Sequence, residues 1–217
     1  MKENKNHNLT ITKDSLEKNK FISDNMNGKT FHLHTHILYD IRTELGEGLK
    51  NYLEIGSYAG GSMSLISSHS YPTNCITVDL GLPINKEVVE SNVLKFKNED
   101  STFKYIQGDS QSIETINKVK NENKEFDFLF IDGDHSTNGV LLDFKNYSPL
   151  VKKGGYICFD DYLDWEFSPQ VRGAVDSIVE SLDKNEYKVI GSLSYKHLKE
   201  FTELYSNNIF IIQKLNN

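Results

Sequence analysis

Two pairs of acidic residues follow two apolar, strand-like segments of the sequence. Asp132 and Asp134 follow FDFLFI, and Asp160 and Asp161 follow YICF. Neighbouring strands of a parallel sheet lie about 4.8 Å apart, so carboxylates at their ends can converge at one edge. Like charges this close repel each other and require a balancing positive charge. Because oxygen ligands suit Mg²⁺, Mn²⁺ or Ca²⁺, the pattern predicts a divalent-metal site.

Two other roles remain open for these acids. They could be solvated residues at strand ends, or N-caps of the helices that follow. Asp134 could instead stabilise the turn after Gly133, which would remove it from the group of converging carboxylates.

The histidines form a second set of candidate functional groups. His135 directly follows the first acidic pair, and an imidazole with an unperturbed pKa of about 6.5 can accept a proton near neutral pH. A structural role is the alternative for this residue. His32, His34 and His36 alternate in FHLHTHI and would share one face of an extended segment. They suit a polar lid over a crevice, a surface or packing role, or a transition-metal site.

A glycine-rich loop, EIGSYAGGS, lies between the strand-like segment NYL and the apolar segment MSLISS. Glycines let the backbone turn sharply and approach a ligand closely. The dinucleotide pattern G-x-G-x-x-G, begun at Gly56, requires a second glycine at position 58, where this chain has Tyr58. This side chain would crowd a pyrophosphate, whereas S-adenosylmethionine (SAM) has no phosphate. A tight turn without a ligand is the structural alternative.

Acidic residues at the next two strand ends support a nucleoside ligand. Asp79 lies 23 positions after Gly56, where a carboxylate can bind both hydroxyls of a ribose. The third strand-like segment ends at Gly108-Asp109-Ser110, within reach of an adenine edge. SAM would also bring two positive groups, an ammonium and a sulfonium, towards the acidic residues.

The segments around these residues alternate between strand and helix patterns. Five apolar runs end at the glycine loop and at the acidic positions, a glycine turn at 153–155 precedes the fifth, and YKVIGSL and NNIFIIQKL predict two more strands. This alternation predicts an α/β fold with a Rossmann-like, doubly wound, mostly parallel seven-stranded sheet and helices on both faces. Such sheets bind ligands beyond the carboxyl ends of their strands. Cys75 and Cys158 lie inside strand-like runs and are predicted to be buried thiols.

Two motifs resemble those of a known family. The loop E-I-G-S-Y-A-G-G-S is similar to the first motif of class I SAM-dependent methyltransferases. The stretch FDFLFIDGDHSTNGVLLDFKNYSPLVKKGGYICFDDY resembles the second half of a bacterial subgroup, the macrocin-type sugar O-methyltransferases, and more distantly catechol and caffeoyl-CoA O-methyltransferases. The resemblance covers roughly residues 30–180.

The resemblance implies a role for each group of residues. Glu54 and Gly56 would flank the methionine end of SAM, Asp79 would bind the ribose, and Asp109 and Ser110 would lie near the adenine. Metal ligands would be Asp132, Asp160 and Asp161, the last in place of the Asn of the plant enzymes. His135 stands where catechol-type enzymes have a lysine that accepts the proton of the acceptor hydroxyl.

The bulk composition limits the partners of the chain. Its 217 residues suit a mobile N-terminal arm or loosely docked helix at 1–25 and one catalytic domain at 26–217. The net charge of −7 disfavours a nucleic-acid surface. No apolar stretch approaches the roughly 20 residues of a membrane span, and the N-terminus lacks the apolar segment of a signal peptide, so we expect a cytoplasmic protein. Association into a homo-oligomer is left open.

These features predict a SAM-dependent O-methyltransferase that acts on a hydroxyl of a small molecule, a sugar by resemblance, with Mg²⁺ bound and His135 as the proton acceptor. The alternatives are a metal-independent SAM methyltransferase of the same fold, a nicotinamide-dependent oxidoreductase, which Tyr58 disfavours, and a non-catalytic SAM-binding protein. The predicted cofactor-binding residues are Glu54, Gly56, Ser57, Tyr58, Gly60, Ser62, Asp79, Asp109, Ser110 and Asp132.

Overall fold

A seven-stranded sheet organises the chain, and the computed structural model describes residues 13–28, 36–193 and 209–215. The strands are β1 Asn51–Ile55, β2 Asn74–Asp79, β3 Thr102–Gln107, β4 Phe126–Ile131, β5 Val151–Phe159, β6 Tyr187–Leu193 and β7 Ile209–Lys214. Their order across the sheet is β3-β2-β1-β4-β5-β7-β6. The first five strands pair in parallel, whereas β7 is antiparallel to both β5 and β6. The predicted mostly parallel, doubly wound sheet is confirmed.

Helices cover both faces of this sheet. In the described part of the chain they are α1 Lys13–Asn25, α2 His36–Leu45, α3 Gly61–Ser67, α4 Lys86–Phe96, α5 Ile113–Glu122, α6 Thr137–Tyr147 and α7 Val171–Ser181. Apolar residues of α2, α3 and α4 form the core on one face, and those of α5, α6 and α7 form the core on the other. The central strand β4, FDFLFI, is buried at every position, as expected for a parallel strand covered on both sides.

Side-chain caps fix where three helices begin, just beyond the carboxyl ends of the strands. Asn85, Ser112 and Ser136 each accept a hydrogen bond from a backbone N–H in the first turn of α4, α5 and α6. An N-cap of this kind satisfies an amide that the helix leaves without a partner. The turns between strand and helix are therefore short and well defined at the edge where ligands bind.

Helix α1 occupies the second half of the segment predicted to be a mobile arm. Its Ser15 hydroxyl donates a 2.8 Å hydrogen bond to Asp40 of α2. Ile22 and Met26 pack in a small cluster with Ala59 and Leu65. These two residues dock the segment 13–26 onto the domain, whereas Phe21 of the same helix is exposed. Residues 1–12 lie outside the described part of the chain.

One other boundary differs from the sequence prediction. Strand β5 begins at Val151, so the predicted glycine turn lies within the strand, where Gly154 has a φ of +83°. Both cysteines are buried free thiols, as predicted. Within the described residues, every helix is too short or too polar to cross a membrane.

Candidate active site

The carboxyl ends of the parallel strands surround an open crevice of about 1210 Å³. The predicted residues that line it are Gly56, Tyr58, Asp79, Asp109, Ser110, Asp132, His135, Asp160 and Asp161. Ser57 and Ser62 line a smaller cavity beside the crevice. Glu54 and Gly60 lie in the protein interior behind the loop. The topology therefore brings the two sequence motifs, about 80 residues apart in the chain, to one edge of the sheet.

The glycine loop needs its glycines for steric reasons. Gly56 has a φ of +84°, and a Cβ on this residue would overlap the carbonyl oxygen of Asp132. Gly60, with a φ of +82°, precedes α3 and packs against Val89. Tyr58 also has a left-handed φ, +45°, and its half-exposed ring lines the crevice. Close approach of loop and β4 explains Gly56, and the ring of Tyr58 occupies the place of a dinucleotide glycine.

Asp79, the predicted ribose ligand, holds the glycine loop in place. One carboxylate oxygen accepts hydrogen bonds from the Ser57 amide at 2.8 Å, the Ser57 hydroxyl at 3.3 Å and the Tyr58 amide at 3.2 Å. The other accepts from the Gly81 amide at 2.7 Å and the Tyr105 hydroxyl at 3.2 Å. Asp79 thus anchors the turn as well as facing the crevice.

Glu54 is a buried acid between the loop and the acidic cluster. Its two oxygens accept hydrogen bonds from the Tyr52 hydroxyl at 2.7 Å and the Ser62 hydroxyl at 2.8 Å. Burial raises the pKa of this carboxyl to about 8, against the lowering effect of these two hydrogen bonds. Glu54 is therefore largely protonated at neutral pH, and Ser62 connects it to the cavity.

The predicted acidic cluster forms at the ends of β4 and β5 around an imidazole. His135 Nε2 lies 3.2 Å from Asp132 Oδ1, and its Nδ1 lies 3.5 Å from Asp161 Oδ2. Ser168, from the loop after β5, lies 2.8 Å from Nδ1 and donates a 2.7 Å hydrogen bond to Asp161 Oδ2. One donor atom each from Asp132, His135 and Asp161 lies within 4.8 Å of the others. Asp160 lines the crevice beside them.

The hydrogen bonds assign two protons to His135. The Ser168 hydroxyl has one proton, which it gives to Asp161, so it must accept a hydrogen bond from Nδ1–H. Nε2 faces a carboxylate oxygen of Asp132 and donates as well. The hydrogen bond to Asp132 and the neighbouring acids raise the pKa of His135 to about 9. Burial and the charge of Asp160 raise the pKa of the Asp132 carboxyl, because both disfavour its ionised form.

A family model described as a methyltransferase domain matches residues 53–162, the segment from β1 to just beyond β5 that builds this crevice. The chain belongs to this methyltransferase family. An uncharacterised protein of Acanthamoeba polyphaga mimivirus is 38% identical over 174 residues, which are 80% of this chain and 79% of the viral protein. A protein of Arabidopsis thaliana named as a candidate caffeoyl-CoA O-methyltransferase is 31% identical over 121 residues, 54% of this chain and 49% of the plant protein.

Solved structures share the fold of the methyltransferase. The O-methyltransferase of Bacillus cereus, in complex with S-adenosylhomocysteine (SAH), superposes with a TM-score of 0.64 at 17% identity, over 94% of this chain and 91% of that one. MycE methyltransferase of the mycinamycin biosynthetic pathway, in complex with Mg and SAH, gives 0.61 at 19% identity, over 93% and 55% of the two chains. By family and fold the chain is a SAM-dependent methyltransferase.

Two candidate residues of the methyltransferase bond away from the proposed ligand sites, and Asp134 takes the turn role that the sequence left open. Asp134 is exposed and accepts hydrogen bonds from the Ser136 amide and hydroxyl, so it stabilises the turn and does not join the cluster. The Ser110 hydroxyl donates a 2.7 Å hydrogen bond to the buried Asp143, whose pKa burial raises to about 6. Ser110 therefore bonds inward, and Asp109 is the more exposed of the two predicted adenine contacts.

The loop after β5 divides into a packed part and an exposed part. Tyr162 is buried, packs against Phe210 and donates a hydrogen bond to Asp176. The guanidinium of Arg172 lies over the exposed Trp165 ring, 5.0 Å from its centroid, and pairs with Asp176. Phe167, 78% exposed, lines the crevice beside His135. His32, His34 and the side chain of His36 lie outside the described residues.

Sequence reasoning missed three partners of the site. Tyr52 lies two positions before Glu54 in the same strand, and this spacing could have predicted it, because alternate residues share a face. Ser168 reaches His135 across 33 positions, and Asp143 reaches Ser110 across the same separation. Nothing in the local sequence pattern indicates either of these long-range contacts.

Proposed function

We propose that the methyltransferase transfers a methyl group from SAM to a hydroxyl oxygen of a small molecule, with a divalent metal bound at Asp132, Asp160 and Asp161. The observation that supports this proposal best is the cluster of Asp132, His135 and Asp161 at the edge of the crevice. Such a cluster joins oxygen ligands to a group that can exchange a proton. O-methylation requires the second function, because a hydroxyl must lose its proton as it is methylated, and a metal held by the first would make that hydroxyl more acidic.

SAM fits the nucleoside side of the crevice in the proposed arrangement. Asp79 would bind the ribose hydroxyls and Asp109 would lie near the adenine, while Tyr58 covers the loop where a dinucleotide enzyme needs glycine. Glu54 and Ser62 would lie behind the methionine end. That the Bacillus cereus enzyme and MycE were each solved with SAH supports the same donor here.

The donor set fits a hard divalent cation. Three carboxylates lie at neighbouring strand ends, where burial and the charge of Asp160 raise the pKa of Asp132, and a bound cation would favour its ionised form. When bound, a metal of this kind polarises a hydroxyl and makes it more acidic. The Mg in the MycE structure supports Mg²⁺ as the first ion to test.

His135 would accept the proton of the acceptor hydroxyl. Its ring is oriented from one side by Ser168, which is itself fixed by Asp161. In the arrangement described, both ring nitrogens donate, so the imidazole must lose a proton before it can act as a base. The acceptor oxygen would then lie between His135 and the methyl group. The main contribution of such an enzyme is to hold the acceptor oxygen about 3 Å from the methyl carbon.

The acceptor is proposed to be a small molecule, and a sugar hydroxyl is the first class to test. The resemblance of the later motif to macrocin-type sugar O-methyltransferases supports this choice. The exposed rings of Tyr58 and Phe167 on the crevice wall are suited to stack on the face of a sugar or an aryl group.

A second candidate function is metal-independent methyl transfer. The specific observation in its favour is that His135 contacts Asp132 and Asp161 at once. As an imidazolium, His135 itself supplies one of the positive charges that the acids require. In this case the cluster would bind the acceptor through hydrogen bonds, and the three acids would have no metal to ligate.

The two candidate functions can be tested by a methyl-transfer assay with radiolabelled SAM and a panel of sugar and aryl hydroxyl acceptors. Under the metal proposal EDTA abolishes transfer and Mg²⁺ restores it. Asp161→Asn, which keeps an oxygen ligand and tolerates the φ of +57° at this position, should retain part of the activity. Asp161→Gly removes the ligand without backbone strain and should lose it.

Asp134→Ala is the matched control, since this exposed acid lies two positions from Asp132 at the crevice and, among the described residues, bonds to its own turn and to Gln111. Transfer that is indifferent to EDTA, with Asp161→Gly close to wild type, supports the metal-independent candidate instead. Absence of SAM binding in calorimetry would contradict both candidates.

A further inference from the structure

A small cavity of about 50 Å³ lies between helix α1 and the glycine loop, next to the large crevice. Its walls are formed by Asn19, Ile22, Ser23, Met26, Ser57, Tyr58, Gly61, Ser62, Asp132 and Asp160. Sequence reasoning assigned no function to the α1 residues among them. The loop and strand residues are those that the proposed function places beside the methionine end of SAM.

The cavity walls offer two kinds of chemistry. On the strand side, the carboxylates of Asp132 and Asp160 accept hydrogen bonds and attract positive charge. On the side of α1, the cavity is lined by the amide of Asn19 and the hydroxyl of Ser23, which are polar groups of the kind that bind a carboxylate. A ligand with an ammonium and a carboxylate on one carbon matches both sides.

The size of the cavity agrees with a head group of this kind. A cavity needs about 10–15 Å³ for each water-sized group that it holds. The cavity of about 50 Å³ therefore holds roughly three to five such groups. That is enough for an ammonium, a carboxylate and the carbon that joins them. It is too small for a nucleoside, which the adjoining crevice of about 1210 Å³ can accept.

Helix α1 is fixed against the loop by contacts that do not involve a ligand. Asn92 of α4 is buried and donates hydrogen bonds of 2.8 Å to the carbonyls of Asn27 and Ala59. It also accepts from the Asn27 amide at 2.9 Å. Asn92 therefore ties the end of α1 to the glycine loop. Asn19 and Ser23, four positions apart, share the helix face turned to the cavity, and each is only 5% exposed.

We propose that α1 completes the binding site for the amino-acid end of SAM, with Asn19 and Ser23 contacting its carboxylate and ammonium groups. This inference rests on the proposed use of SAM and adds an element that lies outside the 53–162 segment matched by the family. Recognition of the zwitterion would then depend on docking of the N-terminal helix, whereas recognition of adenosine would depend on Asp79 and Asp109.

Two ligands that differ in the amino-acid end provide the test. SAH has the zwitterionic head, and 5′-methylthioadenosine has the same adenosine and thioether without it. Calorimetry should show that Asn19→Ala and Ser23→Ala each weaken SAH binding about fivefold to tenfold, while 5′-methylthioadenosine binding changes less than twofold. Lys20→Ala, on the exposed face of the same helix, is the control and should bind both ligands like wild type.

Thermal melting of each variant keeps the result interpretable, because Ser23→Ala removes a single hydroxyl and should fold even if Asn19→Ala does not. An equal loss for both ligands would mean that α1 only supports the loop, and unchanged SAH binding would mean that it makes no contact; either result overturns the inference. Wild-type protein that binds 5′-methylthioadenosine and SAH equally overturns it while the adenosine site stands. Wild type that binds neither contradicts the use of SAM itself.

Discussion

Acidic residues end both β2 and the pair β4 and β5, but their surroundings are opposite. Asp79 at the end of β2 accepts hydrogen bonds from three backbone amides and two hydroxyls. Asp132 and Asp161 have one imidazole and one serine hydroxyl between them in the contacts that define the cluster, with a third acid, Asp160, alongside. The first acid anchors the glycine loop, and the second group is the site at which we propose that a cation binds.

The difference shows that an acidic residue at a strand end can have more than one structural role. The role of the acid depends on how many hydrogen-bond donors the turn after its strand offers to the carboxylate. After β2 the glycine loop folds back and offers its amides to Asp79. After β4 the turn offers its amide and hydroxyl at Ser136 to Asp134 instead, which leaves Asp132 to the imidazole. The same residue type therefore fixes a loop in one place and creates a reactive cluster in the other.

Replacing His135 by Ala should have the largest effect, because it removes the imidazole that contacts both Asp132 and Asp161. Turnover should fall by roughly 10²–10⁴-fold while SAH affinity stays near wild type, because a proton acceptor is lost and the nucleoside contacts are not. In the wild type, activity should rise with pH as the imidazole loses its proton. The hydrogen bond to Asp132 and the neighbouring acids raise its pKa to about 9 in the absence of a cation, and a cation bound to these acids should move the rise to lower pH. That rising limb should disappear in the variant. Steady-state rates between pH 6 and 10 measure both effects.

His135→Lys provides the matched variant, since an amine keeps its proton to higher pH than an imidazole. It should retain part of the activity, with the rising limb displaced upwards. Activity of His135→Ala within about threefold of wild type, on an unchanged pH profile, would show that water removes the proton.

Glu54 lies between the two regions, and its carboxyl should affect the pH dependence of stability. Because burial raises the pKa of its carboxyl from 4.5 to about 8, the folded protein keeps a proton that the unfolded chain has released. The free energy of unfolding should therefore fall as pH rises between these values, by at most about 1.4 kcal/mol per pH unit from this group. Glu54→Gln cannot lose a proton, so its stability relative to wild type should increase from pH 5 to pH 8. Thermal or urea unfolding across this range measures the change.

The exposed Glu47 supplies the control, since Glu47→Gln should unfold in parallel with wild type at every pH. If Glu54→Gln also runs parallel to wild type, the carboxyl is ionised in the folded protein at neutral pH. Tyr52 and Ser62 would then stabilise the charge rather than the neutral acid.

The sequence predicted the parts of the molecule that depend on local patterns. Apolar strands, amphipathic helices and acids at strand ends give the sheet, and the crevice follows from the rule that parallel strands present their carboxyl ends together. Contacts between distant segments were not predictable in the same way. Ser168 and Asp143 each bond to a partner 33 positions away, and α1 docks through only a few apolar residues in a polar segment.

Asp79→Asn should have the smallest effect on function and tests the anchor side of the comparison. The amide keeps one acceptor oxygen but loses the charge and replaces the other oxygen with a donor, which cannot accept from the loop amides. Hydrogen bonds to a charged acceptor contribute about 1.5–3 kcal/mol each, so SAH affinity should fall about tenfold in calorimetry. The melting temperature should fall as well, because the loop loses part of its anchor.

Asp109→Asn is the matched variant. Asp109 is exposed, and its carboxylate accepts one hydrogen bond, from the Gln111 amide. The Asp109→Asn protein should therefore bind SAH less tightly without losing stability. If Asp79→Asn has a lower melting temperature but binds SAH like wild type, Asp79 anchors the loop and does not bind the ribose.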